Sequence, residues 1–383
     1  MNIRMYNCYF GDCFNLLNEN GNNLLVDFGI HESCTDKTTR EKRFKDVYSD
    51  IRKQKADFLL SHYHEDHYNG VVYVCDSENY NFRFKDIYIP DIWQVNGCIK
   101  AIEIHLLRAI LDGSILNKTT TIFDFLIAIC EKNSTIHFVK RGTLIQKEYV
   151  ALWPSDEFIN EEAEKVISKA LDVTGVDEEA ETKLREFSER LHHIVAHDMF
   201  SRDYKGDYLL GQLRDLKEDL VGFAEQRKPR DKDSNVLVRL RKFENDISIV
   251  FQNIEDDPSE NLLFTGDFGR KAKLWNQIEN NTVWPKCDMH SMYHVIKVGH
   301  HGTRPYYHSF VGRMSNESIL LIPNDGAKMR WNICSDYSLN AITTGAGVVC
   351  STDNACEAKN CNTGQCTCTN RSIIGNNVFI DIT

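Results

Sequence analysis

The amino-acid sequence predicts a mixed fold of the α+β class. Short apolar runs bounded by polar turn residues indicate buried strands, and several of these runs follow one another directly along the chain. A long charged segment has helical spacing instead, so strands occur both in succession and in alternation with helices. With 383 residues, of which 42% are hydrophobic, the chain is long enough to build a sizeable core.

The predicted strands begin near the N-terminus. Residues 2–10 and 23–29 form the first two, and the second is built around the apolar run LLV. A third short apolar strand, Phe58 to Leu60, runs directly into a loop rich in histidine. Further strands are predicted within residues 84–90, 149–154, 235–240, 246–252, 261–267, 293–302 and 318–325.

Residues 157–232 differ in composition from the rest of the chain and are rich in glutamate, lysine, aspartate and arginine. Apolar residues recur there at steps of three and four, which predicts two amphipathic helices with the stripes Leu184, Phe187, Leu191, Ile194 and Leu213, Leu216, Leu220, Phe223. We interpret this segment as a helical insertion that serves as a lid or as a surface for a protein partner. Its histidines lack the H-E-x-x-H pattern of a protease-type zinc site, so we expect them in solvent or at the core edge: His192, His193 and His197.

Composition limits the classes of function. The formal net charge is −11, whereas a protein that coats long nucleic acid is usually basic. We therefore expect no strong non-specific binding to DNA, while a small anionic substrate held by bound cations is compatible with this charge. No apolar run reaches the roughly 18 residues of a membrane span, and no signal-peptide pattern opens the sequence. We expect a cytoplasmic protein with no membrane partner.

Thirteen cysteines are present, and five of them cluster between residues 350 and 368. Scattered cysteines in a cytosolic protein are mostly small buried hydrophobic residues. The cluster lies in a loop-like run that is too polar to bury a core of its own. Because it contains no paired C-x-x-C, a structural metal, disulfides and free thiols all stay open for this Cys-rich loop, which holds Cys350, Cys356, Cys361, Cys366 and Cys368.

The residues that carry chemistry follow the strand that ends at Leu60, in the run His62, Tyr63, His64, Glu65, Asp66 and His67. On a loop, this H-x-H-x-D-H spacing lets His62 and His64 point to one side. Asp66 and His67 turn to an adjacent side. Three imidazoles and a carboxylate match the nitrogen and oxygen ligands that zinc and similar ions prefer. The sequence therefore predicts a metal site on this loop.

Two later motifs also follow apolar strands, namely Thr265-Gly266-Asp267 and Gly299-His300-His301-Gly302. Together with H-x-H-x-D-H, their order resembles the metallo-β-lactamase superfamily. The strings GDCFNLL, LLVDFG, LWP, NVLVRL, LLFTGD and IKVGHHGT resemble, more narrowly, the metallohydrolase domain of the bacterial competence DNA-uptake channel and its soluble relatives. The resemblance leaves out residues 157–232 and the Cys-rich loop. It implies a single domain over residues 1–383, built as an αββα sandwich of two sheets flanked by helices, with the active site at the sandwich edge.

The resemblance also implies a site for two divalent metal ions, zinc in the first place and manganese as the alternative. His62 and His64 match the ligands of the first ion. Asp66 and His67 match those of the second ion. Asp267 matches the carboxylate that bridges the two ions, and a dinuclear centre of this kind activates a water molecule for hydrolysis.

The last histidine ligand that the resemblance implies is one of two neighbours, His300 and His301. We favour His300, because it directly follows the glycine after the strand, as in many relatives. His301 would then support a ligand or transfer a proton to the leaving oxygen. Asp66, besides its role as a ligand, would orient the attacking water.

Three further aspartates are candidates for roles at the site. The superfamily often has another histidine about 20–35 residues before the bridging aspartate, and this sequence has Asp233 in that region as a candidate replacement. We favour an ordinary turn role for Asp233 over this ligand role. Asp12 and Asp27 stand at strand ends, where Asp27 could orient a ligating histidine or cap a turn.

Among hydrolytic reactions, the resemblance favours cleavage of a phosphodiester, either in a small nucleotide or at the end of a nucleic acid. The alternative is hydrolysis of a carboxylic ester, thioester, lactone or β-lactam. A third hypothesis is a non-catalytic metal-binding protein that keeps the fold and binds a partner through residues 157–232. The complete H-x-H-x-D-H motif favours an enzyme over this last hypothesis.

Overall fold

A computed structural model describes residues 2–18, 20–76, 80, 82–117, 119–174, 176–200, 206–226, 233–269, 271–280, 287–324, 334–350, 372–374 and 377–381. Within these ranges the chain forms two mixed β-sheets and ten α-helices. The α+β class predicted from the sequence is therefore confirmed.

The first sheet carries the N-terminal strands. It consists of β1 (Asn2–Tyr6), β2 (Cys13–Leu17), β3 (Asn23–Phe28), β4 (Ala56–Leu59), β5 (Asp86–Pro90), β6 (Thr135–Val139), β14 (Ser372–Ile374) and β15 (Asn377–Asp381). Their order across the sheet is β14-β15-β1-β2-β3-β4-β5-β6. The strands from β3 to β6 are parallel neighbours, so their carboxyl ends lie along one edge of the sheet.

The second sheet is built from later strands. It consists of β7 (Leu144–Ile145), β8 (Tyr149–Trp153), β9 (Val250–Asn253), β10 (Leu262–Phe264), β11 (Val295–Lys297), β12 (Ile319–Ile322) and β13 (Gly347–Cys350). Their order is β13-β12-β11-β10-β9-β8-β7, and the strands from β10 to β13 are parallel. This sheet therefore also has an edge at which several carboxyl ends meet.

The inner faces of the two sheets share one apolar core. Phe14 of β2 meets Phe264 of β10 edge to face, with ring centroids 5.3 Å apart, and Phe264 stacks on Phe251 of β9. All three side chains are buried in the same cluster. Burial of each such side chain contributes about 1.5–3 kcal/mol. The two sheets are thus held face to face, and their carboxyl-terminal edges can contribute to a common site.

The helices are α1 (Lys37–Ile51), α2 (Asn69–Asp76), α3 (Cys98–Leu111), α4 (Ile122–Glu131), α5 (Asp156–Thr174), α6 (Glu178–Ala196), α7 (Gly206–Glu225), α8 (Asp233–Asp246), α9 (Ala272–Glu279) and α10 (Ser335–Thr344). On the first sheet, Phe28 packs on Phe44 of α1 and Phe58 packs on Phe125 of α4. Beside the second sheet, Trp275 of α9 is buried in a cluster that also contains strand residues of that sheet. Helices therefore cover the outer faces of both sheets.

A group of helices lies beside the sheets. α3 packs against α5, α6 and α8, and α7 packs against α4 and α6. Asp177 caps α6 by accepting a hydrogen bond from the backbone of Ala180 at 2.9 Å. The two apolar stripes expected in residues 157–232 lie on α6 and α7, where Phe187 and Phe223 meet with ring centroids 5.5 Å apart.

The strand predicted within residues 235–240 is wrong, because this stretch belongs to α8. The run NVLVRL is rich in apolar residues, two of them β-branched, which is typical of a strand. In the structure Val236, Leu240 and Phe243 are buried at helical spacing, whereas Val238 is 56% exposed. Packing of α8 against α3 and α5 thus decides the conformation of this segment.

None of the helices in the described ranges combines the length and the apolar character needed to cross a membrane.

Of the five cysteines of the Cys-rich loop, Cys350 ends β13. The other four cysteines of the Cys-rich loop, Cys356, Cys361, Cys366 and Cys368, lie outside the described residues.

Candidate metal centre

The sequence motifs meet where strands of both sheets end. In the first sheet, Asp27 is the penultimate residue of β3, and the parallel neighbour β4 leads to His62 and the rest of the H-x-H-x-D-H loop. In the second sheet, β10 leads to Asp267, and its parallel neighbour β11 leads to His300 and His301. Adjacent parallel strands place these loops side by side, so each sheet contributes one half of the centre.

Two glycines permit the close approach of these loops. A Cβ on Gly29 would lie 2.3 Å from the backbone carbon of Asp66, so only glycine lets β3 run so close to the motif loop. Gly266 has a φ of +49°, and a Cβ there would meet the side chains of Ser248 and Ser61 at 2.9 and 3.0 Å. The Gly-Asp turn is therefore required by the packing of the two sheets as well as by its own backbone conformation.

The first group of ligand-type atoms contains His62, His64 and Asp267. His62 Nε2 and His64 Nδ1 lie 3.0 Å apart, and His62 Nε2 lies 3.8 Å from Asp267 Oδ2. His62 and Asp267 are completely or almost completely buried, and His64 is partly exposed. The two imidazoles therefore point to one side of the loop, as their spacing predicts.

The second group contains Asp66, His67 and His301. His301 Nε2 lies 3.8 Å from Asp66 Oδ2. Asp267 Oδ2 lies 3.6 Å from His67 Nε2 and 3.7 Å from His301 Nε2. The same carboxylate oxygen of Asp267 therefore faces both groups, as expected for a bridging position.

Further carboxylates contact the imidazoles of His67 and His301 at their Nδ1 atoms, on the side away from the centre. Asp27 Oδ2 accepts a hydrogen bond from His67 Nδ1 at 2.9 Å, so the contact expected between Asp27 and a histidine of the motif is present. On the other side, His301 Nδ1 lies 2.9 Å from Asp12 Oδ1, and the ammonium of Lys297 contacts the same carboxylate. These contacts leave the Nε2 atoms of both rings directed toward the centre.

The charges of the cluster favour a cation. Burial would raise the pKa of the Asp267 carboxyl, but neighbouring histidines, His301 first, outweigh it and hold that pKa well below its usual range. Burial lowers the pKa of the His67 imidazole, but Asp27 and Asp267 reverse this and raise the pKa well above its usual value. Asp267 and Asp12 likewise raise the pKa of His301 against the effect of burial. The carboxylates thus draw positive charge to the ring nitrogens that face the centre.

Sequence reasoning missed Glu244, a completely buried residue of α8. Its carboxylate accepts hydrogen bonds from His64 Nε2 at 2.8 Å and from Arg108 Nε at 2.7 Å, and it lies 2.5 Å from His105 Nδ1. Burial would raise the pKa of Glu244, but Arg108 and His105 outweigh it and hold the pKa well below its usual range. A helical interpretation of residues 233–246 would have revealed it, because Glu244 falls on the buried face four residues after Leu240.

The structure brings His301, rather than the favoured His300, into a group with Asp66 and His67. Both histidines have positive φ values, 45° for His300 and 54° for His301, which turn the two rings in different directions. His301 is completely buried against Asp12, whereas His300 is 22% exposed and stacks on Tyr306. His300 Nε2 still lies 3.7 Å from Asp267 Oδ2.

The remaining candidates lie elsewhere. Asp233 begins α8, and its side chain lies outside the described part of the chain. In the helical segment, His192 Nε2 donates a hydrogen bond to the carbonyl of Trp93 at 2.8 Å. His193 and His197 are exposed on α6 and at its end, as expected for residues outside the metal centre.

A pocket of about 390 Å³ opens beside the centre. Among the residues that line it are three members of the two groups, His64, Asp66 and Asp267, together with His300. The volume is typical of a site for a small molecule. The centre is therefore accessible to a ligand from one side while most of its histidines are buried.

Comparison of the chain with protein-family models, with curated proteins and with solved structures gives no match. The geometry alone shows that buried histidine and aspartate clusters at the junction of the two sheets could hold a metal ion.

Proposed function

We propose that the protein is a hydrolase of the metallo-β-lactamase fold that binds two divalent metal ions and cleaves a phosphodiester. The observation that supports this most directly is the position of Asp267, whose Oδ2 faces both ligand groups across the junction of the sheets. Two stacked sheets, helices on their outer faces and a centre at the carboxyl ends of the strands are the arrangement that the resemblance implies.

The donor set fits such ions. Among the described residues, His67 Nε2, His301 Nε2 and Asp267 Oδ1 are buried without a hydrogen-bond partner. Orphaned buried polar atoms are costly unless something else satisfies them. Two ligand atoms bonded to one tetrahedral zinc ion lie roughly 3.4 Å apart, and the observed separations are 3.0 to 3.8 Å. Imidazole and carboxylate donors suit zinc first and manganese second.

When bound, divalent ions lower the pKa of a coordinated water and polarise a phosphoryl oxygen. The protein's own contribution begins with orientation. Asp27 fixes the ring of His67, and Glu244 fixes the ring of His64, each by accepting a hydrogen bond from the ring nitrogen that faces away from the centre. Asp66 lies at the wall of the pocket, where its carboxylate would accept a hydrogen bond from the attacking water and orient it.

Proton transfer falls to His300 in this proposal, because His301 is completely buried and held against Asp12. The hydroxyl of Thr303 donates to the carbonyl of His300, so its oxygen accepts the proton on His300 Nδ1 at 2.7 Å. His300 Nε2 is then directed toward Asp267 and lines the pocket. Burial lowers the pKa of His300 to about 4, so at neutral pH Nε2 is unprotonated and is placed to accept a proton from the attacking water.

The pocket favours a phosphodiester over a neutral ester or lactam. Three basic and four acidic residues line it, namely Arg108, Arg241, Lys242, Glu65, Asp66, Asp112 and Asp267. Two divalent ions bound at the centre would offset the carboxylates, and the basic residues would then help to attract an anionic substrate and to stabilise negative charge that develops during the reaction. The small volume and the overall charge of −11 favour a short or terminal phosphodiester over long duplex DNA.

The test combines metal analysis with two model substrates, bis(p-nitrophenyl) phosphate and a p-nitrophenyl carboxylic ester. We expect close to two ions per chain in the centre and turnover of the phosphate. Replacing both His62 and His64 by alanine should remove one ion and most of the activity. The matched control replaces the exposed pair His193 and His197 by alanine and should change neither quantity.

Three results would overturn parts of the proposal. Unchanged metal content in the His62→Ala/His64→Ala variant contradicts the site. Turnover of the ester without any turnover of the phosphate would show that the protein hydrolyses esters or lactams instead of phosphodiesters. Inactivity on both substrates together with absence of bound metal favours a non-catalytic binding protein.

A further inference from the structure

Lys297, the last residue of β11, carries a positive charge inside the molecule next to the metal centre. Its side chain is 1% exposed, and its strand lies between β10 and β12 in the interior of the second sheet. Removing an ammonium from water is costly unless paired charges and hydrogen bonds offset the cost. The partners of Lys297 therefore indicate what its charge does at this position.

These partners come from both halves of the centre. Lys297 Nζ donates a hydrogen bond to the carbonyl of Gly266 at 2.7 Å. The ammonium also contacts Asp12 Oδ2, and it lies 3.8 Å from Asp267 Oδ1. Asp12 belongs to the loop between β1 and β2 of the first sheet, whereas Gly266 and Asp267 follow β10 of the second. Carboxylates of the two sheets thus share one buried cation.

Asp12 can serve the centre in two ways. Its Oδ1 lies 2.9 Å from His301 Nδ1, so the carboxylate supports this ring from the side away from the centre. Asp12 is also a member of a third group of ligand-type atoms, with His67 and Asp267, whose atoms lie within 4.8 Å of one another. This third group shares His67 with the group of Asp66, His67 and His301. An ion bound through His67 therefore has two alternative ligand sets.

The ammonium of Lys297 distinguishes these two sets, because it faces both carboxylates of the third group. A divalent ion bound there would lie close to the ammonium, and like charges repel each other strongly in a buried site. Both oxygens of Asp12 are already engaged, one with Lys297 and one with His301. His301 Nε2, in contrast, is directed away from Asp12 and lies 3.8 Å from Asp66 Oδ2. The charge of Lys297 thus favours the set that contains His301.

We propose that Lys297 determines which residues bind the second ion. Its ammonium keeps Asp12 behind the ring of His301, so that the ion is held by Asp66, His67 and His301 and not by Asp12. This inference rests on the proposed function, since it assigns a ligand set to one of the two ions. Lys297 is not among the residues that line the pocket. It is a positioning residue, which acts through Asp12 and does not touch the substrate.

The experiment measures the affinity of the second zinc ion by competition with a chromophoric chelator, which requires no turnover. The variant His62→Ala/His64→Ala identifies this ion, because it lacks the first one. With Lys297 present, Asp12→Asn removes a supporting group and should weaken binding by about 10–100-fold. His301→Ala removes a ligand and should weaken it more. In the Lys297→Met background we expect the opposite order, with His301→Ala changing the affinity by no more than about twofold.

A spectroscopic measurement identifies the ligand directly. In the cobalt-substituted protein, the ring N–H protons of coordinated histidines give strongly shifted proton resonances. The resonance of His301 is assigned by its absence in His301→Ala. It should be present in the unaltered protein and absent in Lys297→Met, because the ion then binds Asp12 instead. A structural role of Lys297 in joining the sheets would change stability but would leave this resonance in place.

The matched control is Lys271→Met, which removes a lysine that pairs with Glu162 and Asp246 and should keep the order of the unaltered protein. If Lys297→Met does not fold, Lys297→Gln replaces it, since glutamine removes the charge but keeps a hydrogen-bond donor.

The two levels of the proposal fail in different ways. Absence of bound divalent ions in the unaltered protein contradicts the proposed function. If two ions bind, the inference about Lys297 is overturned by either of two results. One is that His301→Ala still weakens the second ion more than Asp12→Asn in the Lys297→Met or Lys297→Gln background. The other is that Asp12→Asn is already the more damaging substitution when Lys297 is present.

Discussion

At the scale of single residues, Asp267 has the most demanding position in the molecule. Its Oδ2 lies 3.6 to 3.8 Å from the Nε2 atoms of four histidines, His62, His67, His300 and His301. No hydrogen-bonded turn requires four imidazoles around one carboxylate oxygen. A role for Asp267 in balancing bound cations explains the convergence, because a carboxylate can neutralise two ions and fix the distance between them.

We therefore predict that Asp267→Asn keeps the fold but lowers turnover of bis(p-nitrophenyl) phosphate by about 100-fold or more. The substitution preserves the volume of the side chain and removes its charge, so the secondary structure measured by circular dichroism should not change. Metal content should fall in the same preparation. Asp207→Asn, at an exposed position at the start of α7, is the control and should retain full activity. Near-native turnover in Asp267→Asn would show that the Gly-Asp pair is only a turn.

Much of this site could be predicted from the sequence, because H-x-H-x-D-H and Gly-Asp each follow a short apolar strand. The orientation of His300 and His301 could not be predicted. Adjacent residues with φ values of 45° and 54° point their rings in directions that depend on the packing of Asp12 and Tyr306, which are distant in sequence. Spacing alone carries no information about such contacts.

At the scale of elements, α8 supports the centre from outside the two sheets. The sequence suggested a strand there, because the run NVLVRL is rich in apolar residues and two of them are β-branched. The helix instead buries Glu244, which accepts hydrogen bonds from His64 and Arg108. An error in one element therefore concealed a residue of the site, because a buried carboxylate is recognised only when the correct period is used.

We predict that Glu244→Gln weakens binding of the divalent ion by about 10–100-fold, the usual effect of removing a group that orients a ligating histidine. Glutamine leaves His64 and Arg108 without the negative charge that both contact. Competition with a chromophoric chelator measures the affinity without relying on turnover. Glu103→Gln, at a second buried glutamate on α3 that pairs with Lys100 and Arg185, is the control.

Glu244 could orient a metal ligand, or it could only join α3 to α8. A change in thermal stability alone would not separate these two roles, since Glu244→Gln and Glu103→Gln both alter buried charges. Metal affinity does separate them, because Glu103 forms its ion pairs with Lys100 and Arg185, whereas Glu244 contacts His64 of the centre. Equal affinity in Glu244→Gln and the unaltered protein would restrict Glu244 to a structural role in joining α3 to α8.

At the scale of the whole molecule, the centre joins two halves that come from different sheets. The H-x-H-x-D-H loop belongs to the first sheet, and Asp267 and His301 belong to the second. Direct backbone links near the centre include Ile249 N to the carbonyl of Ser61 at 2.8 Å. Ions bound between the halves would therefore add cross-links at the open end of an apolar interface that otherwise holds the sheets together.

We predict that divalent ions raise the thermal unfolding temperature and that a chelator lowers it. Ligand present at about 100 times its dissociation constant stabilises the native state by about 2.7 kcal/mol, which corresponds to a shift of a few degrees. The ion-dependent shift should disappear in Asp267→Asn, which alters only the contribution of the second sheet. It should persist in His193→Ala/His197→Ala. A shift of equal size in Asp267→Asn and in the unaltered protein would place the stabilising ion elsewhere, and replacing the cysteines of the Cys-rich loop by serine would then remove it.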